Sequence, residues 1–263
     1  MNVIIDTSVL MYAIDKAIPR IHLNKREKIT KSVLVYIDSL EWLTCNEPAR
    51  AIWVMDVKYY EGTYWRQNWL DSHGYNIRYK HGRKSKSESL LDIITYSRDF
   101  LDKYCRVLSC RGFEADDLAG MVVKASNERN VLMTIDTDWI GLVDEKTDWI
   151  NFHSRWQPRI RDDIESINQW ASKARAIQKT TLDYPSQIWE IKARIGDKSD
   201  SLPANSPIEV ISLLKPGLEV PLEVLDKYLQ FDYQPNFDAD QIKYAKSIMA
   251  CTSTHCPIEP LTR

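Results

Sequence analysis

Nine carboxylates stand at the ends of apolar runs or at the start of a helical pattern. Asp6 closes NVIID and Asp56 closes AIWVMD. Glu114, Asp116 and Asp117 lie in GFEADDLAG, Asp136 and Asp138 in VLMTIDTD, and Asp197 and Asp200 in RIGDKSDSLP. Clustered carboxylates repel one another, so a fold that gathers them must neutralise them. Hard divalent cations with oxygen ligands do so. The chemistry such a centre supports is phosphodiester hydrolysis, which needs an activated water and a stabilised leaving oxygen. Two cations about 4 Å apart supply both. An all-carboxylate set suits Mg²⁺ or Mn²⁺ better than Zn²⁺, which prefers His and Cys. Taken singly, each acid reads equally well as a turn former, an N-cap or a helix start favoured by the dipole. Four clusters in comparable places favour a site.

A basic segment interrupts the acids. Arg78, Lys80, Arg83, Lys84 and Lys86 fall within nine residues, with Tyr75 and Tyr79 beside them. Such a run is commonly a solvated face. Placed between acidic clusters in a nearly neutral chain, it reads as phosphate contacts, with a tyrosine to stack on an exposed base. Tyr64, Trp65, Arg66 and Trp69 lie just upstream in a helix-like stretch. The tryptophans read as core, and Arg66 as a weaker substrate contact.

The elements that must position these residues follow from periodicity. Short apolar runs alternate with longer helical patterns, which predicts an α/β fold with a parallel sheet. The strands are expected at 3–5, 51–55, 106–108, 131–135 and 149–152. Helices are expected over 31–43, over 114–127, and from a possible capping box at Ser85 and Glu88 to about Tyr104. From about Pro185 the chain reads as short helices punctuated by Pro and Asp. The expected division is 1–184 for the α/β core and 185–263 for a helical C-terminal part. In open parallel sheets ligands bind outside the carboxyl ends of the strands. Asp6, Asp56 and Asp136 each follow a strand there.

Composition sets the outer limits. The chain has 263 residues, 44% of them hydrophobic, and a net charge of −2. A nucleic-acid surface must therefore be local. Five cysteines with no CxxC pair suggest a reducing compartment. Cys251, His255 and Cys256 fit no common zinc spacing. No run approaches the ~20 apolar residues of a membrane span, and the N-terminal segment reads as a first strand. A cytoplasmic location is expected.

Together these motifs resemble the 5′ nuclease family: flap endonucleases, the 5′→3′ exonuclease domains of bacterial DNA polymerases and phage 5′ exonucleases. The family's E-A-D-D is similar to Glu114-Ala115-Asp116-Asp117, and its D-x-D to Asp136-Thr137-Asp138. Its Y-K-x-x-R resembles Tyr79-Lys80-His81-Gly82-Arg83. Its G-D-x-x-D-N-[IL]-P resembles Gly196 to Pro203, with Ser201 replacing Asn. Asp6 and Asp56 match its first two acids. The resemblance covers Asp6 to about Pro203. It implies a PIN-like parallel-sheet core flanked by helices, a helical arch over about 80–105 and a helical C-terminal DNA-binding part.

The activity implied is that of a metal-dependent 5′→3′ DNA exonuclease with flap endonuclease capability. Two Mg²⁺ ions, for which Mn²⁺ substitutes, would be held by Asp6, Asp56, Glu114, Asp116, Asp136 and Asp138, with Asp117, Asp197 and Asp200 completing the second ion or its outer shell. Lys80 and Arg83 would engage the scissile phosphate. Arg66, Arg78, Tyr79, Lys84, Lys86 and Lys198 would contact DNA carrying 5′ ends or flaps, with RNA–DNA hybrid a further substrate. A PIN-type ribonuclease and a non-catalytic nucleic-acid-binding replication protein are the competing readings. The small, divergent chain suggests a phage-type member acting in the host cytoplasm. One departure stands out: where relatives carry a glycine-rich hairpin that binds duplex phosphates, this chain has Ala204-Asn205-Ser206-Pro207. No glycine is available there to turn amides toward a phosphate. Lys192, Arg194, Lys198 and Lys215 are expected to substitute.

Overall fold

A computed structural model describes residues 1–8, 50–58, 62–81, 107–152, 158–171 and 180–207, with Leu91, Ile94, Thr95 and Val210. Six strands are present among them: β1 (Asn2–Asp6), β2 (Arg50–Val57), β3 (Val107–Arg111), β4 (Asn130–Met133), β5 (Thr147–Phe152) and β6 (Pro158–Arg161). They form one sheet in the order β3-β2-β1-β4-β5-β6. The first five are parallel and β6 joins the edge antiparallel. The expected parallel α/β core is therefore present. Its strands are apolar almost throughout because both faces are covered: β1 is buried along its whole length, and Ala51 to Met55 of β2 are buried too.

The sixth strand was not expected. Its sequence, PRIR, has no apolar run, and a proline at the first position is tolerated only where no ladder hydrogen bond is needed. An edge strand meets both conditions, with polar residues that discourage further pairing. The third strand extends beyond its expected end, to Arg111.

The helices among the described residues are α1 (Trp65–Ser72), α2 (Ala115–Ala125), α3 (Ile164–Ala171) and α4 (Gln187–Ile195), with a 3₁₀ helix over Thr137–Leu142. The α2 start is held by a reciprocal capping box between Glu114 and Asp117. Its Leu118, Ala119, Met121 and Val122 pack into the core. The helices expected over 31–43 and over 85–104 lie outside the described residues, apart from Leu91, Ile94 and Thr95, which are helical. Those expected beyond 210 lie outside as well.

Three features of this topology place the site. Strands β2 and β4 flank β1 on opposite sides, so the chain reverses its winding direction at β1. A crevice opens at the carboxyl ends of such strands. The register puts Asp6 opposite Val54 and Ile5 opposite Met133, so Asp6, Asp56 and the turn after β4 emerge at one edge. Helix α4 then packs on the 3₁₀ helix. Trp189 is seated on Gly141, where an added Cβ would come within 2.4 Å of the indole. The Trp189 indole N–H donates to the Asp138 carbonyl at 3.1 Å.

Candidate active site

The sheet edge gathers the acids, and buried cations stand among them. Asp6 is buried at the end of β1, where the Thr134 hydroxyl donates to its Oδ2 at 3.1 Å. On β2, Asp56 accepts from the Ala115 amide at 2.7 Å, which ties β2 to the first turn of α2. Asp136 ends the β4 turn and caps the 3₁₀ helix, accepting from the Asp138 amide at 3.0 Å. In the loop after α4, Gly196 has φ +81°, and a Cβ there would press on the Leu202 carbonyl and the Ala204 amide. That turn folds Asp197 and Asp200 back over the edge. The Asp197–Leu202 bridge closes it, with backbone hydrogen bonds of 2.9 and 2.8 Å.

Two of the predicted acids are tied into an ion-pair network instead of facing open space. Asp117 is fully buried and spends both oxygens. It accepts from both terminal nitrogens of Arg66 at 2.9 and 2.7 Å, from the Trp65 indole at 2.9 Å and from the Glu114 amide at 3.1 Å. It positions Arg66 and the start of α2. Glu114, also fully buried, pairs with Arg66 and Lys80, and accepts from the Tyr79 hydroxyl at 2.7 Å. Burial pushes the Asp117 carboxyl up to about 6, only partly offset by Arg66.

Arg66 and Tyr79 are buried as well. Arg66, expected as a DNA contact, is 1% exposed. It is the counter-ion that lets Glu114 and Asp117 share the start of α2. Tyr79 is 9% exposed, and its hydroxyl sits between Glu114 and Asp200, 3.2 Å from the latter. Its ring is part of the core cluster.

Among the described residues of the basic segment, Lys80 reaches the acids. Its ammonium pairs with Glu114 and lies 3.9 Å from Asp200. Its backbone is left-handed, φ +54°, and its amide donates to the Asp200 carbonyl at 2.8 Å. A lysine in that conformation is strained, and surrounding contacts must hold it there. Arg78 and Lys198 are exposed at the surface. Arg83, Lys84, Lys86 and Lys215 lie outside the described residues, as do Cys251, His255 and Cys256.

Lys192 was expected on the DNA-facing surface and is instead 2% exposed. Its ammonium pairs with Asp138 and lies 2.8 Å from Asp197. Both are buried ion pairs, made to Asp138 Oδ1 and Asp197 Oδ2. The sequence did carry a signal. Lys192 falls three and four residues after Trp189 and Ile188, on the apolar stripe of α4. Arg66 likewise sits on the buried side of α1 beside Trp65 and Leu70. A long cation on an apolar stripe in a chain rich in clustered acids is a buried counter-ion.

The electrostatics follow from this crowding. Burial pushes the Asp138 carboxyl up to about 8; Lys192 opposes the shift, while Asp136 and Asp200 add to it. Burial also pushes Asp197 up, but Lys192 and hydrogen bonds from Ser199 outweigh it and hold this carboxyl at about 2. The Ser199 amide and hydroxyl both donate to Asp197 Oδ1, at 2.8 and 2.5 Å. Burial alone would lower Lys192, yet the surrounding aspartates raise it, so it stays charged. Asp116 is raised by burial and lowered more by Lys80 and Arg66, so it stays ionised.

The donor set fits a hard divalent cation. Asp138, Asp197 and Asp200 each offer an oxygen, all within 4.8 Å of one another, and all three are buried. Oxygen-only donors on short aspartates suit Mg²⁺, Mn²⁺ or Ca²⁺. A cation there would share these oxygens with Lys192.

Comparison with known proteins agrees with this arrangement. Residues 1–175 match the profile of the 5′-3′ exonuclease, N-terminal resolvase-like domain. The chain belongs to the 5′-3′ exonuclease family. No curated protein matches it. Among solved structures, the 5′-exonuclease of bacteriophage T5 with bound zinc superposes with a TM-score of 0.56 at 20% identity, over 94% of this chain and 84% of that one. A T5 flap endonuclease variant, in a pseudo-enzyme-product complex with DNA and metal ions, gives a TM-score of 0.55 at 17% identity. It covers 96% of this chain and 93% of that one. These likenesses establish the resolvase/PIN-like fold, a parallel five-stranded sheet with flanking helices. Membership of the family makes this 5′ exonuclease-type chain a nuclease.

The segment around Pro203 uses its amides within the fold. Ser201 and Asn205 adopt left-handed backbones, φ +62° and +55°, without any glycine. The amides that follow do not turn toward a ligand. Asn205 and Ser206 donate to the Arg194 and Ala193 carbonyls at 2.9 and 3.1 Å, capping the C-terminus of α4.

Proposed function

We propose that the chain is a Mg²⁺-dependent 5′→3′ DNA exonuclease with structure-specific flap endonuclease activity. The observation that supports it most directly is the union of two groups at one sheet edge. Asp138, Asp197 and Asp200 lie together there, Asp6, Asp56, Asp116 and Asp136 stand at strand ends or at the start of α2 along the same edge, and Lys80 reaches in from the Y-K-x-x-R segment to Glu114 and Asp200.

Two bound divalent ions would activate the attacking water and screen the leaving oxygen. The chain's residues do the rest. Asp138, Asp197 and Asp200 offer ligand oxygens on one side of the edge. Asp6, Asp56, Asp116 and Asp136 offer them directly or through water on the other. Lys80 is poised to stabilise charge developing on the scissile phosphate, with Arg83 assigned the same work by its motif. Glu114, held by Arg66 and Tyr79, keeps the Lys80 ammonium aimed at the edge when no phosphate is there. Arg78, Lys84, Lys86 and Lys198 are assigned to the DNA backbone. The division at residue 184 and the arch over about 80–105 remain part of this proposal, as does a phage-type role in the host cytoplasm. Among the described residues no helix is long and apolar enough to cross a membrane.

The test compares end-labelled flap, nicked duplex, single-stranded DNA, RNA–DNA hybrid and single-stranded RNA, in Mg²⁺ and in EDTA. The expected result is Mg²⁺-dependent release of short products from 5′ ends and of whole flaps. Cleavage confined to single-stranded RNA would favour the ribonuclease reading, and binding without any cleavage the non-catalytic one.

A further inference from the structure

Two loops meet at the acidic edge. One is the turn 78–81, which carries Lys80. The other is the loop 196–203, which carries Asp197 and Asp200. The Lys80 amide donates to the Asp200 carbonyl at 2.8 Å. One residue further along each loop, the Ser201 hydroxyl donates to the His81 carbonyl at 2.6 Å, across 120 residues of chain. The turn itself is closed by the His81 amide, which donates to the Arg78 carbonyl at 3.2 Å. Its other side is held by Gln67 of α1. That side chain accepts from the Tyr79 amide at 2.7 Å and donates to the Ile77 carbonyl at 3.2 Å.

Two residues at this joint have left-handed backbones without being glycine, Lys80 at φ +54° and Ser201 at φ +62°. That conformation is unfavourable for an L side chain, so local contacts must outweigh it. At Lys80 the side chain is the functional group, and its ammonium pairs with Glu114 and approaches Asp200. At Ser201 a glycine would adopt the same φ freely. What serine contributes over glycine there is the bond to His81. With that bond made, the Lys80 amide, the His81 amide and the His81 carbonyl are all engaged. Lys80 cannot relax its φ without breaking one of them.

We propose that Ser201 is a positioning residue for Lys80, a latch that joins the loop carrying Asp200 to the turn carrying the lysine. The pairing with Glu114 cannot do this work during turnover, because a phosphate then takes the ammonium. The latch acts on the backbone, so it persists when that partner changes. It keeps the ammonium in register with Asp200, and reacting groups need such fixed placement. This inference rests on the nuclease reading above, in which Lys80 meets the scissile phosphate.

The experiment uses Ser201→Gly and Ser201→Asn, each made in the unaltered chain and in Lys80→Ala. Glycine deletes the hydroxyl and removes the backbone strain; asparagine keeps a donor and tolerates the left-handed region. Ser201→Gly should melt close to the parent, since the lost hydrogen bond and the relieved backbone oppose each other. Its single-turnover rate on saturating flap in Mg²⁺ should fall on the order of ten-fold, with flap affinity in Ca²⁺ unchanged. Amide hydrogen exchange over 79–81, measured in EDTA, should quicken on the order of ten-fold. Ser201→Asn should recover both. In Lys80→Ala, Ser201→Gly should cost no further rate, because the residue it positions is gone. A parental rate in Ser201→Gly, an equal further loss in Lys80→Ala, or a Ser201→Asn chain no better than Ser201→Gly would overturn the latch. If the unaltered chain cuts flaps and Ser201→Gly matches it in rate and exchange, the latch falls and the nuclease reading stands. If exchange responds and no flap is cut by the unaltered chain, the nuclease reading falls and the hold on Lys80 stands.

Discussion

Arg66 and Lys192 are the residues on which the acidic edge depends before any metal arrives. Each is a buried cation facing two carboxylates, Arg66 against Glu114 and Asp117, Lys192 against Asp138 and Asp197. Removing one member of a buried ion pair is costly because the remaining charge keeps its desolvation penalty and loses its partner. Lys192→Met should therefore destabilise the metal-free protein by about 3 kcal/mol or more, and saturating Mg²⁺ should return part of that loss. Thermal unfolding in EDTA and in Mg²⁺ checks it; equal melting temperatures for variant and parent in EDTA would show that Lys192 is no counter-ion. Lys80 behaves differently because it is partly exposed and touches the edge from outside. Lys80→Ala should lower turnover on the order of 100-fold while changing DNA affinity little, since its charge acts on the transition state. Single-turnover rates at saturating flap separate the two effects, and normal cleavage there would remove Lys80 from the chemistry.

At the scale of elements, the seam between α4 and the 3₁₀ helix governs the site. Asp138 lies on one side of that seam and Lys192 on the other, while Asp197 and Asp200 follow directly from α4. The seam is close because Gly141 has no side chain under the Trp189 ring. Gly141→Ala would force the indole away, moving Lys192 and both following aspartates with it. Expected outcomes are a loss of stability of about 1–3 kcal/mol from overpacking and a larger loss of cleavage than of DNA binding. A variant with parental activity would show that α4 tolerates displacement. Only part of this was legible in the sequence. The α4 pattern marked a helix with an apolar stripe, but nothing in a linear pattern says which element that stripe meets. Helix α4 packs against the 3₁₀ helix and brings its lysine to the acids.

For the molecule as a whole, the edge stores charge that protons or metal ions must balance. Asp138 is raised to about 8 and Asp117 to about 6, both chiefly by burial. Unfolded aspartates titrate near ~3.9. The folded chain therefore binds more protons than the unfolded one between about pH 4 and pH 8, and its stability falls as pH rises through that window. Asp197, held at about 2, acts in the opposite sense only below the unfolded value, so it favours the fold throughout the window. In EDTA the melting temperature should fall by several degrees from pH 5 to pH 9. Mg²⁺ should flatten the curve by replacing protons with a cation. A melting temperature that is flat or rising with pH in EDTA would contradict the assignment.

What the sequence determined by itself is local and periodic. Apolar runs near Val3, Ile52 and Val131 could only be buried strands, and the acids at their ends had to emerge together at the carboxyl edge of a parallel sheet. The E-A-D-D, D-x-D and G-D-x-x-D motifs follow the same logic, because each sits where a strand or helix boundary aims short side chains at that edge. Two things were decided by tertiary structure alone. One is which acids face open space: Asp117 is spent on Arg66 and Trp65, 51 and 52 residues away in the chain, pairings that no spacing rule encodes. The other is the fate of the cations. A lysine or arginine on an apolar stripe is ambiguous in sequence, since its methylenes suit a core and its charge suits a surface. Arg66 and Lys192 are buried because the fold brings carboxylates within reach, and that proximity exists only once the sheet and α4 have closed around them.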